Sequence, residues 1–420
     1  MQEKVKANRS PIILIILCFL VYVLAYLGRY SYSSNINSIM VYYNVNKESA
    51  GLVGTFFFIS YGIGQVVHGL LCKKYNPKYS VSIALAVSSL MNLLIGITDE
   101  NNFQFLKFYW LINGFVQSIL WSSLIRLLNE HLPKKNLNTA IFMMALPASV
   151  GTFLVYGLSS LISALEIKFK ILFIIGFVVL LLVSIIWFLV IDKLKKSCLE
   201  LKEEQIEEKE ELGTCRVGKG FVLVFSILAV FAISNNLVKD GLTTWMPTIL
   251  KEKYDLSNSI STFLTVFLPL FAVFGSTFAI FLNKKLKNFI YVCGILYLVA
   301  FVMFLCVILL LNSSVWILPL GCFMIVTCAM GGVNNVLTNI FPMLYSKKNA
   351  GLIAGVLDGF CYVGSAITAF GLGSIADNYG WNYVFYILIS VCLLMIIICL
   401  IYLIIQKLNF NKRENIDNKI

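Results

Sequence analysis

Apolar residues in this chain come in long uninterrupted runs separated by short polar breaks. The runs fall near 12–40, 49–71, 80–97, 105–127, 138–163 and 171–191, then near 220–250, 258–282, 289–311, 315–341, 350–373 and 383–406. At about 1.5 Å of rise per residue, each run is long enough to cross a hydrocarbon core of about 30 Å as a helix. A spanning barrel would need segments of roughly ten residues with alternating polarity, and none is present. The pattern therefore predicts an all-α membrane protein with twelve transmembrane helices. The first run, Pro11 to Leu27, follows a basic start as a signal peptide would. It lacks a small-x-small cleavage site and continues through Arg29 into a polar-faced helix, so it is read as a retained first span.

The twelve runs divide into two sets of six. Arg29 is matched by Lys239 at an offset of 210, each in the first span of its half. Lys73-Lys74 is matched by Lys284-Lys285, each closing a second span, and Gly64 by Gly275. Asp192 to Lys219 holds eight acidic and seven basic residues and reads as a solvated tether. The expected organisation is an N-terminal six-helix half (1–191), a charged cytoplasmic linker (192–219), and a C-terminal six-helix half with a short tail (220–420). Six-span repeats that start on the same side are parallel repeats about an axis along the membrane normal, and transporters built this way bind solute between the halves near the bilayer midplane.

Composition agrees with the spans: 59% of residues are hydrophobic and 13% charged, whereas a soluble globule carries about 25% charged residues. The net charge of +12 is a topological signal rather than a nucleic-acid footprint. Basic residues cluster at the N-terminus (Lys4, Lys6, Arg9), in alternate loops (Lys73/Lys74/Lys78, Lys134/Lys135, Lys284/Lys285/Lys287, Lys347/Lys348) and in the tail. By the positive-inside rule both termini and the linker are cytoplasmic. The eleven cysteines form no C-x-x-C pair, and the two histidines, His68 and His131, have no partner motif, so no metal site is expected. No phosphate-binding P-loop and no nucleophile–base arrangement is present. The chain is accordingly read as neither an enzyme nor a cofactor protein. Its expected partners are the lipid bilayer and a small anionic or polar solute, with no nucleic acid, and the expected state is a monomer in a bacterial inner membrane.

Particular motifs carry a family resemblance. The loop Gly69-Leu-Leu-Cys-Lys-Lys-Tyr-Asn-Pro-Lys78 is similar to the G-x-x-x-D-R-x-G-R-R loop of the major facilitator superfamily, and its Asn76-Pro77 resembles the organophosphate/phosphate antiporter branch. Tyr61-Gly62, Trp121, Arg126, Gly241, Trp245-x-Pro247-Thr248, Tyr362-Val363-Gly364, Asp377 and Gly380-Trp381 extend the likeness over nearly the whole chain. The resemblance implies phosphate held by an Arg on the first helix of each half; Arg29 stands at the first of these positions and Lys239 at the second. A branch lysine of the second helix is matched by Gln65 and a branch histidine of the fifth falls near Ala148. The loop acid is replaced by Lys73, with Lys284 as its echo. Lys73, Lys74, Lys284 and Lys285 are the expected cytoplasmic gating loops.

An intramembrane Arg is costly and normally faces a polar cavity. Arg29 is followed by Tyr30, Ser31, Tyr32, Ser33, Ser34, Asn35 and Asn37, a run suited to lining a pathway; Lys239 lies beside Asn235, Asn236, Asp240, Thr243 and Thr244. Two cations about 8 Å apart repel by about 2 kcal/mol at an effective dielectric of 20, and an anion between them reverses the sign. That would couple closure of the halves to anion binding and enforce exchange. The expected substrate-binding residues are Arg29, Lys239, Gln65, Tyr26, Tyr61 and Trp121. Asp240 and Asp358 are candidates for proton coupling, against structural alternatives: an ion pair with Lys239 for Asp240, and closeness to the cytoplasmic mouth for Asp358. The resulting expectation is a secondary carrier exchanging a small organic anion, such as a sugar phosphate or glycerol phosphate, for phosphate. The alternatives are a proton-coupled carrier of another polar solute and, behind it, a transporter-like sensor.

Overall fold

The computed structural model describes residues 2–71, 74–203, 219–310, 315–342 and 350–417. Lys73, Lys347, Lys348 and linker residues 204–218 lie outside the described residues. Twelve helices are long and apolar enough to cross a membrane: α1 (Ser10–Ser34), α2 (Lys47–Leu71), α3 (Pro77–Ile97), α4 (Gln104–His131), α5 (Lys134–Ala164), α6 (Lys170–Leu201), α7 (Val222–Tyr254), α8 (Asn258–Leu286), α9 (Phe289–Leu310), α10 (Ile317–Ile340), α11 (Ile353–Tyr379) and α12 (Trp381–Leu408). No strand occurs among the described residues. Each of the twelve runs read from the sequence coincides with one of these helices. The chain is an all-α membrane protein.

Local chemistry sets the helix ends. Asn76 caps α3 by accepting from the Lys78 N–H, with Pro77 in the first turn where its missing N–H costs nothing. Ser257 caps α8 through the Ile260 N–H. Gly380, at φ +85°, ends α11 in a conformation that favours glycine. Several spans are broken inside, which hydrophobicity alone did not foretell. The Asn35 side chain bonds the Ser31 carbonyl and competes with the backbone ladder, and the helix restarts at Ile36 and runs to Tyr43. In α5 the break precedes Pro147, and in α8 it lies at Val266, three residues before Pro269. The helix of α6 continues to Glu203, so the stretch read as linker begins as helix.

The packing displays the internal repeat. In the first half α2 packs on α4, α3 on α6 and α1 on α5; in the second, α8 packs on α10, α9 on α12 and α7 on α11. Each pair in one half has its counterpart six helices on. The halves meet mainly through α2 against α11 and α5 against α8, a set that the same two-fold operation exchanges. The α2–α11 approach is close: a side chain at Gly51 would run into the Ala369 carbonyl.

Between the halves, contacts concentrate on the face opposite the termini. Lys47 pairs with Glu252 at 3.1 Å and Asp377 at 3.3 Å. The Glu48 N–H donates to Asp377 and Ser374 donates to Glu48, while within the second half the Trp381 indole donates to Glu252 and holds it in place. Alongside them, Asn258 bonds Ser38 and Ser163, and Ser160 pairs with Ser259. On the terminus side no comparable seam joins the halves among the described residues. Lys74, Lys284 and Lys285 are exposed there and form no ion pair among the described residues. Among the described residues, the polar bonds and ion pairs between the halves are thus gathered toward the far face.

Candidate functional site between the two halves

Arg29 sits on the turn of α1 that restarts after Tyr26, buried between the halves at 9% exposure. Its guanidinium Nη2 donates across the interface to the Tyr362 hydroxyl of α11 at 2.6 Å. Around it lie five aromatic rings: Tyr61 with its centroid 4.5 Å from Cζ, Tyr362 at 5.3 Å, Tyr30 at 5.5 Å, Tyr26 at 5.6 Å and Phe57 at 6.0 Å. Each such ring attracts a desolvated guanidinium by about 0.5–2 kcal/mol. No carboxylate lies within ion-pair distance of Arg29 among the described residues, and its Nε has no hydrogen-bond partner. The charge is thus held by ring faces and one hydroxyl, with donor capacity unused. A void of about 10 Å³, room for about one water molecule, lies beside it toward Ser33, Gly54 and Trp110.

Lys239 differs from its pseudo-symmetric mate. Its Nζ is 3.7 Å from Asp240, and its side chain is 26% exposed against 6% for Asp240. The other Asp240 oxygen accepts from Ser365 of α11 at 2.5 Å and from Asn236 at 3.1 Å, and Asn236 also bonds Ser365. Asp240 is thus tied into a network that binds α7 to α11. Such a network fixes packing when every member is satisfied. Tyr362, which bonds Arg29, and Ser365, which bonds Asp240, lie about one turn apart on α11, so both cations are tied to the same stretch of that helix.

Of the other sequence candidates, Tyr61 stacks on Phe57 and tilts against Tyr362 at 4.5 Å, crossing the interface. Tyr26 stacks on Tyr30. Gln65 donates to Asp358 Oδ2 at 3.2 Å, again from α2 to α11. Trp121 is half-buried 5.1 Å from Tyr22, whose ring meets Tyr26 edge-on at 5.8 Å. Within the polar run after Arg29, Tyr30 and Ser33 line the void beside it, while other members bond across the packing surface. Ser159 of α5 donates to the Ser34 carbonyl and to Asn35, Asn37 donates to Asn258, and Thr248 donates to Asn37. These groups weld helices together near the far face, because buried polar groups in a bundle find one another across the packing surface.

Sequence reasoning missed the roles of Tyr362 and Phe57 in caging Arg29, and of Lys47, Glu252 and Asp377 in closing the far face. Tyr362 and Asp377 stood inside motifs. The others carry no signal without knowledge of which spans meet.

The model of the Major Facilitator Superfamily matches residues 18–369. A probable hexose phosphate transport protein of Chlamydia trachomatis is 24% identical over 91% of this chain and 88% of its own. The glycerol-3-phosphate transporter of Bacillus subtilis is 22% identical (84% and 83%), and the membrane sensor protein UhpC of Escherichia coli is 21% identical (88% and 87%). Among solved structures, a bacterial homologue of the human lysosomal transporter Spinster superposes with a TM-score of 0.72 at 14% identity, covering 93% of this chain and 95% of its own. That likeness shows the fold. With a family match over most of its length and organophosphate transporters among its relatives, the chain belongs to the major facilitator superfamily, a family of transporters rather than enzymes.

Proposed function

We propose that the protein is an alternating-access exchanger that carries a phosphorylated organic anion, a sugar phosphate or glycerol phosphate, against inorganic phosphate. The observation that carries this reading is Arg29: a buried guanidinium, bridged to the opposite half by Tyr362, without an ion-paired carboxylate and with an unpartnered Nε. An anion there gains charge-assisted, bidentate hydrogen bonds. Lys239 supplies the second charge once its 3.7 Å contact with Asp240 is shared with the anion. The relatives that transport hexose phosphate and glycerol 3-phosphate support the same substrate class.

With both termini cytoplasmic, as the basic loops indicate, the far-face seam supports an inward-facing reading. We place the protein in a bacterial inner membrane, working as a monomer, with substrate entering between Arg29 and Lys239 and Gln65, Tyr26, Tyr61 and Trp121 around it. The empty carrier keeps an uncompensated charge on Arg29, and an anion that neutralises it favours the closed intermediate; that differential is what couples outward and inward movement. Asp240, held by Ser365, Asn236 and Lys239, is assigned a structural role instead of proton coupling.

Uptake of labelled phosphate into proteoliposomes tests the exchange. It should require phosphate inside the vesicles and be insensitive to an imposed proton gradient. Uptake driven by acid outside with no internal anion would select the proton-coupled alternative, and binding without turnover would select the sensor.

A further inference from the structure

The exchanger reading leaves Asp358 unused. This residue lies on α11 four residues before Tyr362, so it shares a helix face with the residue that latches Arg29 and stands one turn from it toward the terminus side. It is half-buried, whereas Tyr362 is buried. Its Oδ2 accepts from Gln65, while its Oδ1 accepts no hydrogen bond and no ion pair reaches it among the described residues. Arg29 and Lys239 are thus accompanied at the interface by two carboxylates, Asp240 and Asp358, of which Asp240 is paired with Lys239.

We propose that the organic substrate is a phosphomonoester carrying a protonated amine, with the phosphate at Arg29 and the ammonium at Asp358. This inference rests on the exchanger reading for the position of the phosphate. The second position offers a carboxylate oxygen that accepts no hydrogen bond among the described residues, beside an Oδ2 that one Gln65 N–H already satisfies. An ammonium offers three donors and a charge to that pair. A neutral sugar phosphate leaves the carboxylate uncompensated beside the incoming phosphate, and two like charges in a low-dielectric cavity repel. Asp240 is not equivalent, because Lys239, Asn236 and Ser365 already occupy it.

The test uses the full-length protein and a matched pair of probes, glucosamine 6-phosphate and glucose 6-phosphate, at a pH where the amine is protonated. Both compete against labelled phosphate exchange in proteoliposomes, and both are titrated for thermal stabilisation of the purified protein in detergent. The amine is expected to compete at about tenfold lower concentration, the difference worth one well-placed charge contact. Asp358→Asn is expected to collapse that ratio toward one, and Asp358→Glu to retain a preference for the amine. Equal or better competition by glucose 6-phosphate in the wild type overturns the proposal, as does a preference unchanged in Asp358→Asn.

The two readings fail separately. Phosphate exchange without an amine preference removes the amine site and leaves the exchanger. Stabilisation by glucosamine 6-phosphate over glucose 6-phosphate without exchange does the reverse. Absence of both removes both.

Discussion

Lys47→Gln at the far-face seam offers a direct reading of the energetics that hold the structure in its observed state. Lys47 belongs to the first half, and its two partners, Glu252 and Asp377, belong to the second. The side chains are 17%, 38% and 18% exposed, so water screens Glu252 most. Partly exposed pairs contribute about 0.2–1 kcal/mol each. Glu252 is taken at the low end and Asp377 at the high end, giving a loss of roughly 1 kcal/mol, or about fivefold in the ratio of sealed to open far face. The Lys47 Nζ also lies 5.9 Å from the Trp381 ring centroid, a cation–π contact that glutamine gives up together with the ion pairs. Spin labels at exposed Val41 and Tyr379, one in each half, report the far-face distance distribution. The described cysteines are buried or half-buried, so introduced cysteines label first. The longer-distance population is expected to rise about fivefold in Lys47→Gln, and high salt is expected to reproduce part of that rise in the wild type but not in the variant. An unchanged distribution in Lys47→Gln would show that the ion pairs do not hold the seam.

Other substitutions test other parts of the account. Gly51→Leu inserts a side chain against the Ala369 carbonyl and Trp245; the wedge should cost about 1–3 kcal/mol of the sealed state, seen as lost turnover with retained labelling at the opened far face. Asp240→Ala leaves Lys239 without its partner and strips an acceptor from Asn236 and Ser365; a loss of about 3–5 kcal/mol is expected, read as a fall in melting temperature in detergent. Tyr362→Phe removes the Arg29 hydroxyl partner but keeps the ring. The anion-free protein should melt lower, and added phosphate should raise the melting temperature by more than in the wild type, because the anion then satisfies the freed donor. An equal phosphate-induced rise in both proteins would mean that the anion does not meet Arg29.

The sequence revealed the architecture because lipid imposes a simple rule: every spanning backbone must satisfy itself as helix, and the side chains must be apolar for about 30 Å. Arg29 and Lys239 stood out for the same reason, since a charge in such a run needs a function or a partner. Legibility stopped where meaning depends on tertiary partners. Lys239 and Arg29 look equivalent in the repeat, yet one is paired with Asp240 and the other is caged by aromatic rings. The polar stretch from Tyr30 to Asn37 reads as a pathway, and only the packing of α5, α7 and α8 shows that Ser34, Asn35 and Asn37 fasten helices. Lys47 resembles any loop lysine until Glu252 and Asp377 are seen across the seam.

The measurement that tests the central claim most directly is labelled phosphate exchange by wild type, Arg29→Gln and Lys239→Gln side by side, each shown to be folded by its melting transition. The account predicts exchange in the wild type only when phosphate is inside the vesicle, its abolition in Arg29→Gln, and a weaker but measurable exchange in Lys239→Gln, whose charge is already shared with Asp240. Undiminished exchange in a folded Arg29→Gln protein would contradict it.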